Sequence, residues 1–317
     1  MKIDFEFISH DCEGRTYRLA LDKSATDSYT ESLRTKPRSE PYLHYALSRS
    51  AQLGRPLKIA DVGANVGGLA LPLAAHGMQI LAVEASPRNF IALATSVREN
   101  RFNNVLPINM AVYDAPGLVD LSGSSAWATI SQMDKSASVA ADTLAGILDI
   151  YGFADSDLIK LDIEGAELAA LTGVEQLLSS NPALEIIYES NTHTSRLFGH
   201  DQQTLANRFA ELGFHLYAFR SGGLMPLKAK DPKPAHLLDV LATRRTDADL
   251  LASGLKIVAM TDHHLLQSLL QHAKSGHKFL VTHAALQEQY MGDDIRSSPE
   301  WSCVKHILSE SNGKDAA

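Results

Sequence analysis

The segment Leu57-Lys58-Ile59-Ala60-Asp61-Val62-Gly63-Ala64-Asn65-Val66-Gly67-Gly68 constrains this chain more than any other. Its apolar run reads as a buried strand that ends at an acid. Gly63, Asn65 and Gly67 then turn the chain before a helical pattern sets in. Glycine tolerates positive φ and lets backbone approach a ligand closely. A strand that feeds a glycine turn and then a helix is the entry of a doubly wound α/β sheet, with a nucleotide-like ligand on the turn.

The rest of the chain supports that architecture. Strands are expected at 57–62, 79–84, 105–112, 158–163 and 184–189. Helices are expected at 66–76, from the Ser86-Pro87 cap to Asn100, at 142–150, at 166–178 and at 203–212. Pro72 inside the first of these calls for a kink or a late helix start. Repeated strand–helix units imply a mostly parallel sheet with helices on both faces. A closing strand pair, 215–219 and 237–242, has no helix between its members and implies one antiparallel edge strand. Residues 1–54 read as an N-terminal strand pair (3–8 and 16–21), an irregular or weakly helical stretch (26–38) and a helical cap (41–53). Residues 55–245 form the ligand-binding domain. Residues 246–317 read as a helical extension, with patterns at 265–270 and 284–290 and a disordered tail from Ser311. That extension is expected to cover a substrate cleft or form a homodimer contact.

In such sheets a second acid at the end of the next strand accepts hydrogen bonds from ribose hydroxyls. Glu84 stands there, at roughly the 20-residue interval expected beyond the glycine turn. Dinucleotide enzymes share this logic, but their fingerprint needs a second glycine so that a pyrophosphate can approach. Asn65 occupies that place here. S-adenosylmethionine has no phosphate and needs an acceptor for its amino group, which Asp61 can help supply. The cofactor-binding set is therefore Asp61, Gly63, Asn65, Gly67 and Glu84 with its neighbour Ala85. Met110 and Ala111, at the third strand's end, are placed beside the adenine. An NAD-dependent dehydrogenase is disfavoured on the same grounds.

A second constellation, Ile159-Lys160-Leu161-Asp162-Ile163-Glu164-Gly165-Ala166-Glu167, puts three acids past the end of another buried strand. Acids in an apolar neighbourhood need partners. Helix capping is the alternative reading, strongest for Glu167. Together with 61–67 and Val83-Glu84-Ala85-Ser86-Pro87, in this order and spacing, the motif resembles the FkbM family of methyltransferases. Ser39-Glu40-Pro41 resembles that family's pre-strand signature. The resemblance covers residues 35–243 and stops short of the extension. It implies a class I methyltransferase fold, S-adenosylmethionine as donor, and mostly O-methylation of sugars, polysaccharides or secondary metabolites.

On this reading the acceptor is a small molecule or glycan whose hydroxyl proton must leave during attack. Candidate catalytic groups are Asp162, Glu189 at the next strand's end, and His193 in the loop beyond it. His193 has the most suitable unperturbed pKa. Asp162 could instead hold Mg²⁺ with Glu189 or Asn191, since carboxylate and amide oxygens suit that ion. A scaffold that binds cofactor without catalysis is the rival from another class. The six histidines from His263 to His306 contain no i, i+4 pair and read as a solvated surface, and no Cys-x-x-Cys supports structural zinc. A net charge of −8 argues against a nucleic-acid partner. The chain lacks both an 18-residue apolar run and a signal-peptide pattern, so no membrane span is expected. With two cysteines, Cys12 and Cys303, a reducing cytoplasm is the expected location.

Overall fold

The computed structural model describes residues 3–37, 40–122, 129–130, 137–220, 223–227, 237–258 and 301–302. It divides into two compact units, Met1–Glu189 with Leu241–Arg244, and Ser190–Val240 with Arg245–Ala317. Among the described residues no helix is long and apolar enough to cross a membrane.

The first unit opens with an antiparallel hairpin, β1 (Phe5–Cys12) and β2 (Arg15–Asp22). Its turn is Glu13-Gly14, both at positive φ (48° and 80°), as a two-residue hairpin loop requires. The stretch read as irregular or weakly helical forms α1 (Ser28–Thr35). Asp27 caps it by accepting from Thr30 N at 2.8 Å, and Leu33 is buried beneath it. Then come α2 (Pro41–Leu53), β3 (Lys58–Val62), α3 (Ala70–Ala75), β4 (Gln79–Val83), α4 (Pro87–Asn100), β5 (Val105–Ile108) and β6 (Ala111–Tyr113). These are followed by β7 (Gly117–Ser122), β8 (Thr129–Ile130), β9 (Ala137–Thr143), α5 (Leu144–Ile150), β10 (Leu158–Leu161), α6 (Glu167–Ala170), α7 (Glu175–Ser180) and β11 (Glu185–Asn191).

Five neighbours in the order β11-β10-β3-β4-β5 are all parallel. Ile59, Ala60, Leu81, Ile159 and Leu161 are fully buried along them. Each of these leucine and isoleucine side chains contributes about 1.5–3 kcal/mol relative to exposure. From β3 the chain builds toward β4 and β5 on one side, and then toward β10 and β11 on the other. The switch point therefore lies between β3 and β10, and ligands of such sheets bind outside the strand ends at that point.

Several boundaries differ from the sequence reading. The helix after the turn starts at Ala70 rather than Val66. Pro72 then falls at its third position, where the amide has no helical partner to lose. The strand expected over 105–112 breaks at Asn109-Met110, and β6 joins a second sheet ordered β6-β9-β7-β8. Val139 and Ala141 of β9 are buried in that sheet's small core. The helix expected over 166–178 is interrupted at Gly173, which has φ 71°.

The second unit contains α8 (Thr192–Leu197), α9 (Gln202–Glu211), β12 (His215–Arg220), β13 (Gly223–Leu227), most of β14 (Leu237–Thr243) and α10 (Asp247–Ala252). β13 is an antiparallel edge partner of β12, and the strand order there is β13-β12-β14. Thr246 and Asp249 form a capping box at the start of α10. Beyond it Ile257 bridges Leu224. The helical patterns at 265–270 and 284–290, the six histidines, Ser39, Cys303 and the tail from Ser311 lie outside the described residues.

Candidate active site

The glycine turn is built on the backbone of the neighbouring strand's exit. Gly63 has φ 84°, and its N donates to Val83 O at 2.9 Å. A Cβ at Gly63 would stand 1.8 Å from the carbonyl oxygen of Asp162. Asp162 N in turn donates to Val62 O at 3.0 Å. The donor turn and the acid loop thus share one close backbone contact. Asn65 (φ 52°) and Gly67 (φ 98°) complete the turn, and a Cβ at Gly67 would meet Leu71 and Leu93 at 2.9 Å.

Glu84 ties the turn to the next loop. One oxygen accepts from Asn65 N at 2.7 Å and the other from Ser86 N at 2.8 Å. A carboxylate has about four acceptor sites, so capacity is left for a ribose hydroxyl. Burial pushes this carboxyl up to about 7, against the hydrogen bonds that favour the charged form. Asn109 Nδ2 donates to the carbonyls of Glu84 and Ala85 at 2.8 and 2.9 Å, which fixes the backbone at that strand end. Ala111 is buried in the core of the second sheet, with Ala85 packed against that core. Met110 lies at the bend, its Sδ 3.8 Å from the Tyr151 hydroxyl.

Asp61 is buried, and among the described residues its Oδ2 has no hydrogen-bond partner. Desolvation raises it to about 7, although Lys160 on the next strand opposes that shift. A buried acceptor beside a turn that carries Asn65 in place of a second glycine, with Glu84 at the next strand end, fits a ligand that offers an amino group and ribose hydroxyls.

Past β10, strand alternation puts Lys160 and Asp162 on one face. Lys160 is buried, and its Nζ lies 3.2 Å from Asp162 Oδ2 and 5.0 Å from the Tyr42 ring centroid. Asp162 keeps 34% of its side chain exposed. Carboxylate oxygens of Asp162, Glu164 and Glu189 lie within 4.8 Å of one another. Burial and the neighbouring carboxylates raise Glu164 to about 8 and push Glu189 well above the usual carboxylate range. Oxygen donors of this kind suit a hard cation by type, and among the described residues the Lys160 ammonium lies beside them. Glu167 plays the capping role: its Oε1 accepts from Ile163 N and Gly165 N at 3.0 and 3.3 Å. The first unit therefore brings Asp162 and Glu189 together. His193 is exposed in the second unit, near the start of α8, where its N donates to the Asn191 side chain at 3.0 Å. The group that sequence reasoning left without a role is Lys160. Its signal was a charge inside the buried run Leu158–Leu161.

Residues 61–216 match the family model of the methyltransferase FkbM domain. The chain carries an FkbM methyltransferase domain. The matched stretch contains the glycine turn, Glu84, the Asp162 loop and Glu189. No curated relative matches the sequence. Among solved structures, the FkbM chain is similar to the T. thermophilus 16S rRNA N2 G1207 methyltransferase (13% identity, TM-score 0.36, 77% of this chain and 52% of that one). It is also similar to precorrin-6y C5,15-methyltransferase from Geobacter metallireducens (10%, 0.35, 70% and 94%). A third is WbdD (15%, 0.41, 69% and 44%). The chain thus spans about half the length of the first and less than half of WbdD.

Proposed function

We propose that this FkbM domain methylates a hydroxyl on a sugar, polysaccharide or secondary metabolite, and that Asp162 takes the hydroxyl proton. The observation that carries the reading is the Asp162 carboxylate. It is partly exposed just past β10 at the switch point, with a buried ammonium at one oxygen. Asp61, Gly63, Asn65, Gly67, Glu84 and Ala85, with the backbone at Met110 and Ala111, would hold S-adenosylmethionine, which supplies an electrophilic methyl when bound. The chain's own task is to align the acceptor oxygen, which can be worth up to about 7–11 kcal/mol. Removing the proton adds about 10²–10⁴-fold. Glu164 and Glu189, held toward their protonated forms, suit donation to acceptor oxygens, and His193 stands as the alternative candidate base.

The test is release of S-adenosylhomocysteine over a panel of glycan, polyol, phenol and amine acceptors. Transfer to a hydroxyl is expected, with at least a hundredfold loss in Asp162→Asn. Transfer to amines alone would make it an N-methyltransferase, and binding without transfer to any acceptor would make it a scaffold. Full rates in both Asp162→Asn and His193→Ala would overturn the residue assignment. Transfer is also expected to persist in EDTA. Loss in EDTA that Mg²⁺ restores would put a cation on the Asp162 cluster instead.

A further inference from the structure

We infer that Lys160 is a positioning residue of this site: its ammonium holds one oxygen of Asp162 so that the other is presented to the acceptor hydroxyl. The inference rests on the reading of Asp162 given above.

Burying an ammonium is costly unless it is paired, and Lys160 lies inside β10 with both flanking strands parallel to it. Its register partner on β3 is Asp61, and on β11 it is Ile187. Its Nζ reaches past the strand end to Asp162 Oδ2 at 3.2 Å. The Tyr42 ring of α2 lies 5.0 Å away, close enough for the ring face to stabilise the cation. The ammonium is thus held between an aromatic ring and a carboxylate. A structural lysine could satisfy itself at any carbonyl or at solvent. Here the ammonium reaches the acid of the loop that is partly exposed and next to the turn. Asp162 also has carboxyl oxygens of Glu164 and Glu189 within 4.8 Å, which offer it competing hydrogen-bond partners, so a fixed cation selects the orientation seen. A charged hydrogen bond at one oxygen restricts the carboxylate's rotation and leaves the second oxygen for substrate.

Two measurements test this. The first reads the ammonium itself, by ¹H–¹⁵N correlation of lysine NH₃⁺ groups in the full-length chain. A slowly exchanging signal that Lys160→Met removes is expected, and Asp162→Asn should move it. A Lys160 signal that Asp162→Asn leaves unmoved overturns the inference, as does absence of a protected signal. The second reads turnover on the acceptor that the wild-type chain methylates. Lys160→Met should lower kcat at least tenfold with KM for S-adenosylmethionine within about twofold, and Lys160→Arg should recover part of the loss. Equal losses in both variants, or none in Lys160→Met, overturn it. If the wild-type chain transfers methyl to no acceptor, the reading of Asp162 fails and takes the catalytic role of Lys160 with it. The ammonium signal then still decides whether Lys160 holds Asp162.

Discussion

At the scale of single residues, the site is a set of acids held away from their usual ionisation. Asp61 and Glu84 are each raised to about 7, mainly by burial. An acid whose folded pKa is raised binds its proton more tightly in the native state than in the unfolded chain. Stability is then lost as pH rises from the unfolded value near 4 to the folded value near 7. The urea midpoint of the free protein should accordingly fall between pH 5 and pH 8. Asp61→Asn should flatten that slope, and an unchanged slope in the variant would show that Asp61 is not its source. Cofactor binding should run the other way and release protons near pH 6.5, seen as a buffer-dependent heat in calorimetry. Gly63 answers to geometry rather than charge. Gly63→Ala puts a methyl at positive φ, on top of the Asp162 carbonyl. A loss of at least about 2 kcal/mol in chemical denaturation is expected, together with loss of S-adenosylmethionine binding.

At the scale of elements, α2 is fastened to the sheet by a buried carboxylate. Glu185, at the start of β11, accepts from the Tyr45 hydroxyl and from Thr243 Oγ1, each at 2.7 Å. Arg49 Nε lies 3.4 Å from it. Because α2 also carries Tyr42, this anchor indirectly supports Lys160. Tyr45→Phe removes one hydrogen bond to a charged group, and a cost of about 1.5–3 kcal/mol is expected in thermal or urea unfolding. This contact was invisible in the sequence, since its partners are 140 residues apart. What was legible is what chemistry writes locally. The β3 turn, Glu84 and the Asp162 loop are short motifs whose spacing follows from strand, turn and helix. Element ends were less legible. The start of α3 moved to Ala70 because the turn uses Val66 to Leu69. Asp27 and Leu33 organised a helix that propensity alone did not favour. The break after Ile108 depends on Asn109 bonding back across the strand end to Glu84 and Ala85, which is a tertiary event.

At the scale of the whole molecule, ligand binding should appear as stability. A ligand that binds only the folded chain at 100 times its Kd adds about 2.7 kcal/mol. S-adenosylmethionine and S-adenosylhomocysteine should therefore raise Tm by several degrees, and NAD should leave it unchanged. Stabilisation by NAD alone would contradict the reading of Asn65. The family match spans 61–216, so the hairpin of β1 and β2 lies outside it, although it packs on the same unit through pairs such as Arg88–Asp22. The contact between Gly63 and the Asp162 carbonyl bears on how such a domain could be re-engineered. A chimera that imports a new acid loop to change the acceptor also imports the carbonyl on which the glycine turn rests. Loop swaps bounded only by 162–167 are therefore expected to yield folded chains that have lost their methyl donor. Swaps that carry residues 61–67 along should keep it.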